Sequence, residues 1–454
     1  MSDPMFWHRL QFGFTLTFHY IFPQLTMGLA LLIVVMKSIA LRRGSEAWND
    51  AARFWIRIFG LTFAMGVVTG IPMEFQFGTN WAAFSHRAGG VIGQTLAMEG
   101  IFAFFLESSF LAVLVWGERR FGPRIHYLAS IALFAGSWLS GYFIIATNAF
   151  MQHPVGHSIG ADGTFQIASL AQFVFNPWAI LQFLHNQTAS VVSGAFVVAA
   201  VGAYWTLKGE THETAKISLR TGVIAGLIAS MLVAFPTGHE QGRGVAKYQP
   251  VTLAAMEGRF ESGPHAPLSM IGQPNVEERK LDNPIMLPSV LSWIAYGKFS
   301  ANVNGLAAYP ESDWPDNIEL LYYSFHIMVG LGTLFAALMG FATLMLWRGR
   351  LALARWMLWI LALAFPFPFI ANTAGWMTAE VGRQPWLIYG LMRTAEGGSP
   401  TVHSGATLFT TLGFAGLYFV LGVLFLSLIA REVGHGPKLS TSAPAPESAA
   451  AHHD

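Results

Sequence analysis

Nine long apolar stretches dominate this chain, at roughly 15–39, 54–78, 93–117, 126–149, 178–206, 217–237, 317–347, 356–377 and 403–430. Each reaches the roughly 20 residues that an α-helix needs to cross a bilayer. In hydrocarbon only helices and closed barrels satisfy every backbone N–H and C=O, and apolar runs of this length specify helices. The sequence therefore predicts an all-α, polytopic membrane protein with nine transmembrane helices. Only 11% of residues are charged, against roughly a quarter in soluble domains, so the surface lacks the polar groups that water requires. Disorder is excluded by an apolar content of 53%. The absence of cysteine removes disulfide scaffolds, iron–sulfur clusters and thiol catalysis. A formal net charge of +1 leaves no basic field for nucleic acid, which is not an expected partner.

Lysine and arginine collect in alternate connections, the pattern that sets membrane orientation. Lys37, Arg42, Arg43 and Arg53 follow the first span, Arg119, Arg120 and Arg124 the third, and Lys208, Lys216 and Arg220 the fifth. Arg348, Arg350 and Arg355 follow the seventh, and Arg431 and Lys438 the ninth. Segment 79–92 holds only Arg87, and 150–177 holds neither residue. This bias puts the N-terminus outside and the C-terminus in the cytoplasm. The expected organisation is helices one to six over 1–237, a long external loop over 238–316, helices seven to nine over 317–431, and a disordered cytoplasmic tail over 432–454. No cleavable signal precedes the first span. No internal repeat supports a transporter built from duplicated halves.

Ionisable residues inside a membrane are costly and usually functional. The candidates are His19, Glu74, Glu99, Glu107, His185, His326, Glu380 and His403, with Met328 beside them, and no lysine is expected deep in a span. In the predicted orientation His19, Glu99, His185, Met328 and Glu380 share the external half of the bilayer. Glu107 lies about 12 Å deeper than Glu99, at 1.5 Å per residue, on a neighbouring helical face. A lone membrane histidine is more often a hydrogen-bonded interior residue than a ligand, and a methionine is usually core filler. Two carboxylates on one helix also suit a proton-coupled transporter. His, Met and Glu at one depth on separate helices suit heme or metal. On the residues alone, transport and redox chemistry both stand open. Histidine pairs 13 or 14 residues apart, the cytochrome b arrangement, are absent, as is the six-histidine cluster of heme–copper oxidases.

Four passages carry a family resemblance: RLQFGFTLTFHY at 9–20, MEFQFGTNW at 73–81, AMEGIFAFFLES at 97–108 and GWMTAEVGRQPW at 375–386. Together they resemble subunit I of the cytochrome bd family of quinol oxidases, continuously from Arg9 to about Arg431. The resemblance implies that His185 and Met328 are the axial ligands of a low-spin heme b. It places His19 and Glu380 as axial ligands, and Glu99 as a lining carboxylate, in a two-heme site. That site would hold a high-spin heme b and heme d, the latter replaceable by heme b in the short-loop, cyanide-insensitive branch. Glu107, Ser108, Ser140 and Asn148 match a proton route from the cytoplasm, while Trp376 and Arg383 match an aromatic bridge and a heme-propionate partner. The 238–316 loop matches a quinol-binding loop, with Glu257 as its quinol-interacting carboxylate. Two positions depart from the family pattern: Thr252 stands where many members carry Lys, and His326 where many carry Arg.

What the resemblance implies, then, is oxidation of membrane quinol coupled to reduction of dioxygen to water in a bacterial cytoplasmic (inner) membrane. Quinol protons would leave outside and the consumed protons enter from inside, generating potential without pumping. A second membrane subunit and a very small single-helix one are the implied partners. A non-catalytic heme-binding subunit and a proton-coupled transporter are the other readings.

Overall fold

The computed structural model describes residues 4–210 and 212–437, without the side chains of Phe102 and Ala103. Among the described residues, nine helices are long and apolar enough to cross a membrane. They are α1 (Pro4–Arg43), α2 (Glu46–Thr79), α3 (Ala82–Trp116), α4 (Glu118–Gln152), α5 (Pro177–Leu207), α6 (Glu213–Tyr248), α7 (Ile318–Trp347), α8 (Arg355–Arg383) and α9 (Ser404–His435). The helices overrun the apolar stretches. At 1.5 Å per residue the 40-residue α1 is about 60 Å long, twice the hydrocarbon thickness, so it projects beyond the bilayer. The expected tail is helical as far as His435, and from 438 onward it lies outside the described residues.

Packing follows helical periodicity. Leu25, Leu29, Ile33 and Met36, spaced three or four apart, bury one face of α1 against Trp55, Ile58 and Phe59 of α2. Between lipid-embedded helices there is no hydrophobic drive, and close backbone approach at small residues supplies the attraction instead. A Cβ on Gly28 of α1 would lie 2.1 Å from the Ser190 carbonyl oxygen of α5, and one on Gly194 would lie 3.0 Å from the Gly28 carbonyl carbon. The α5–α6 contact repeats this at Gly222, where a Cβ would meet the Ala199 nitrogen at 2.3 Å. By contrast α9 leaves Phe409, Leu412, Phe419 and Leu426 largely exposed, an apolar face for lipid or another subunit.

Two helices contain π segments, Glu99–Phe104 in α3 and Val233–Thr237 in α6. Such bulges are concentrated at functional sites. The α8 helix breaks at Ala364–Phe365, just before Pro366, because Pro366 and Pro368 supply no N–H to the preceding turn.

The connections are more ordered than a loop reading implies. Segment 79–92 is mostly helix, since α3 starts at Ala82. The 150–177 connection holds an antiparallel pair, β1 (His157–Ile159) with β2 (Phe165–Ile167). The long loop starts later than its apolar boundary, because α6 continues through its π segment to Tyr248. It contains short helices Pro250–Met256 and Val290–Tyr296 and a hairpin of β3 (Leu268–Asn275) with β4 (Lys280–Leu287). Its own small core joins Val251, Leu253, Met256, Phe260 and Leu306 to Leu321 of α7. Three arginines pin its last stretch: Arg9 to Asp316 at 2.8 Å, Arg393 to Asp313 at 2.6 Å, and Arg279 to Glu311. Arg393 lies in β6 (Met392–Arg393), which pairs with β5 (Trp386–Ile388) after α8. The N-terminal end of α1 and this loop therefore share one face of the molecule.

Candidate heme site

The histidines stand singly on separate helices. His19 of α1 has its Nδ1 3.0 Å from Thr69 Oγ1 of α2. His185 of α5 has its Nδ1 3.3 Å from Thr237 Oγ1, in the π segment of α6. Met328 enters from α7, which packs against that same π segment. Beside Met328 stands Gly375 of α8, on which a Cβ would lie 2.9 Å from the sulfur. Among the described residues no three His, Cys, Asp or Glu side chains converge. Donors arranged one per helix suit an iron that brings its own equatorial ligands, as a porphyrin does.

Near the end of α8, Trp376, Glu380 and Arg383 are four and three residues apart and so share a face. Glu380 Oε1 accepts from Asn148 Nδ2 of α4 at 2.6 Å, and Oε2 accepts from Arg383 Nη2 at 2.5 Å. Gln182, one turn before His185, reaches Asn148 Oδ1 at 3.5 Å, linking α5, α4 and α8. Arg383 is 3% exposed, yet its Nε and Nη1 have no partner. A buried donor left unsatisfied costs about 1–3 kcal/mol, and more when charged. The two orphaned guanidinium N–H groups flank the Nη2 that Glu380 holds and still need acceptors, and heme propionates would supply anionic ones. With the single donors and the glycine at Met328, the residues fit heme.

The carboxylates of α3 face the same neighbour, not adjoining faces as the helical wheel predicted. Eight residues of α-helix put Glu107 about 80° round from Glu99. The π segment between them inserts about one residue, which takes back about 100° and brings both to one side. Ser140 accordingly donates to Glu99 Oε1 at 2.8 Å, and Ser137, one turn earlier on α4, lies against Glu107. Glu107 is buried. Ser108 does not join this line: its hydroxyl donates to the Phe104 carbonyl of its own helix. Glu74 sits exposed beside Phe75 on α2, and His403 precedes α9.

One basic residue of the first connection is buried at the end of α1. Lys37 is 4% exposed and donates to Asn49 Oδ1 at 2.7 Å and Glu118 Oε1 at 3.0 Å. α1 continues past the apolar run to Arg43, and the starts of α2 and α4 close over the ammonium. A polar residue just inside a helix whose neighbours begin at the same level was the available signal.

In the long loop Glu257 is fully enclosed and accepts from the Ser269 backbone N–H at 3.1 Å. Burial pushes its pKa up to about 8 against the pull of that hydrogen bond and of Arg259. Ser269 extends the contact, its hydroxyl paired with Tyr322 at 2.7 Å and its carbonyl facing His326 Nε2 at 3.0 Å. Thr252 donates to the Gly382 carbonyl at 2.7 Å, fastening the loop to the residue before Arg383. Ser269, Tyr322, Gln182, Thr69 and Thr237 leave no mark in the sequence, since uncharged hydroxyls and amides carry no depth signal.

The profile of the cytochrome bd terminal oxidase subunit I family matches residues 7–437. The chain belongs to that family. It is 36% identical to cytochrome bd ubiquinol oxidase subunit 1 of Bacillus subtilis (strain 168), over 94% of this chain and 93% of the relative. Identity to cytochrome bd-II ubiquinol oxidase subunit 1 of Escherichia coli (strain K12) is 30%, over 97% and 98%. The fold superposes on the bd oxidase of Geobacillus thermodenitrificans with TM-score 0.88 at 32% identity, covering 96% of this chain and 99% of that one. As a cytochrome bd subunit I, the protein is a multi-pass, heme-bearing oxidoreductase of respiratory electron transport that works with a subunit II.

Proposed function

We propose that this subunit carries the quinol-oxidising and dioxygen-reducing sites of its oxidase, with the N-terminus outside and the C-terminus in the cytoplasm of a bacterial inner membrane. The single observation that carries the site assignment is the buried Arg383, with two orphaned N–H groups beside separately mounted His, Met and Glu donors. His185 and Met328 would hold a low-spin heme b; His19 and Glu380, with Glu99 alongside, would hold a high-spin heme b and a heme d or a further heme b in its place. Bound there, the hemes supply one-electron carriers and the iron at which dioxygen is reduced to water.

The chain's own residues handle position and protons. Glu257, protonated below about pH 8, exchanges a proton with quinol hydroxyl in the loop, and Ser269, Tyr322 and His326 keep that pocket closed. Glu107 and Glu99, lined up by the π segment and backed by Ser137 and Ser140, pass protons inward from the cytoplasmic side. Asn148 and Arg383 hold Glu380 in a fixed orientation. Trp376 stands between them and Met328's level on α7 as an aromatic bridge. Potential then arises from uptake and release on opposite faces, without pumping. Subunit II and a very small single-helix subunit cover part of the apolar exterior. A transporter is disfavoured by the whole-chain family match.

The test is a reduced-minus-oxidised spectrum and pyridine hemochrome analysis of the purified complex, with oxygen uptake on added quinol. Heme b bands and quinol-dependent uptake are expected. A complex with neither heme nor uptake refutes the reading.

A further inference from the structure

The two candidate ligand histidines are seated by the same two-residue device. His19 meets Thr69-Gly70 of α2, and His185 meets Thr237-Gly238 of α6. Each threonine hydroxyl has one proton to give and two lone pairs. Thr69 donates to the Met65 carbonyl at 2.8 Å, and Thr237 to the Leu232 carbonyl at 3.0 Å. With the proton committed to its own helix, each hydroxyl turns a lone pair to the imidazole Nδ1, 3.0 and 3.3 Å away. A backbone carbonyl also faces each ring, from Gly66 for His19 and Val233 for His185. The surroundings of Nδ1 are thus acceptors, which demand that Nδ1 carry the hydrogen. A neutral imidazole with its proton on Nδ1 has a bare lone pair on Nε2, the form that binds iron.

The following glycine sets the ring's place. A Cβ on Gly70 would lie 2.9 Å from His19 Cε1, so any larger residue would displace the imidazole. One on Gly238 would come 3.5 Å from His185 Cε1 and 2.5 Å from the Val233 carbonyl oxygen. The π segment ending at Thr237 brings this second pair into register, since Thr237 reaches the carbonyl five residues back.

We propose that Thr69 and Thr237 are positioning residues that fix His19 and His185 as Nδ1–H tautomers and present Nε2 to iron. This rests on the heme reading above. Acceptors on the far nitrogen raise the basicity of a ligating histidine and typically alter metal affinity 10–100-fold when removed.

The test uses the assembled oxidase with Thr237→Val, Thr237→Ser, Thr69→Val and Thr69→Ser. Valine keeps the shape and removes the lone pair; serine keeps the hydroxyl. In Thr237→Val the low-spin heme should favour its reduced form about tenfold more, a midpoint shift of about +59 mV for one electron. The midpoint should return to the wild-type value in Thr237→Ser. Thr69→Val should alter only the bands of the other site. Loss of heme in a valine variant with retention in serine also supports the role. Wild-type midpoints and absorption bands in both valine variants at full heme content would overturn it, as would serine behaving like valine. Wild-type complex without heme bands would instead overturn the function proposed above.

Discussion

Glu257 offers the sharpest test of how the long loop works. Its carboxyl is fully enclosed, and its pKa is raised from 4.5 to about 8, chiefly by burial. A shift of that size corresponds to a differential of order 5 kcal/mol between protonated and ionised forms, at 1.36 kcal/mol per unit. The sign is set by linkage. Between pH 4.5 and 8 the folded loop keeps a proton that the unfolded chain releases, so stability falls as pH rises through this window and levels off above it. Glu257→Gln removes the titration and keeps a carbonyl to accept from Ser269 N–H. From pH 6 to pH 8 the variant should therefore gain about 2 kcal/mol on the wild type. Thermal unfolding of the two complexes in detergent, measured at half-unit steps, reads this as a Tm gap that widens with pH. Quinol kcat/KM should also rise with pH towards 8 in the wild type, as the carboxylate forms, and lie flat and low in the variant. Parallel Tm curves across pH 6–8 would refute the burial argument.

Other expectations follow from single contacts. Met328→Leu should abolish the low-spin heme signal in reduced spectra while leaving the other heme bands. Glu107→Leu should cut oxidase turnover at least tenfold with heme spectra unchanged, measured by oxygen uptake. Arg383→Ala removes the ion partner of Glu380 in a buried setting, and breaking such a pair costs about 3–5 kcal/mol; thermal scans and heme content should both fall. Gly28→Ala drives a methyl group against the Ser190 carbonyl and should cost about 1–3 kcal/mol or more by the same thermal assay.

The spans were legible because apolar length is a one-dimensional signal, and all nine appear as helices. Their ends were less so: Lys37 and Arg42 look like loop residues until Glu118 and Asn49 are seen closing over the first. The ligand residues were reachable by type and motif. Their relation was not. Glu99 and Glu107 seemed to face different ways because a helical wheel assumes a uniform pitch, and the π segment at Glu99–Phe104 leaves no composition mark. No repeat of whole spans is visible in the sequence. The repeat that exists is small, a histidine on one helix and Thr-Gly on the next, and becomes visible only when contacts are drawn. Ser108 is the converse case, a residue matched by motif whose hydroxyl is turned to its own backbone.

The touching glycines of α1 and α5 have a geometric consequence. Gly28 follows His19 by nine residues, and Gly194 follows His185 by nine. The two helices therefore cross at one rivet, with each histidine about 13.5 Å up its own arm. Like the points of a pair of dividers, the histidines keep a separation governed by one angle. In the proposed assignment, that one angle would set the span between the two heme sites.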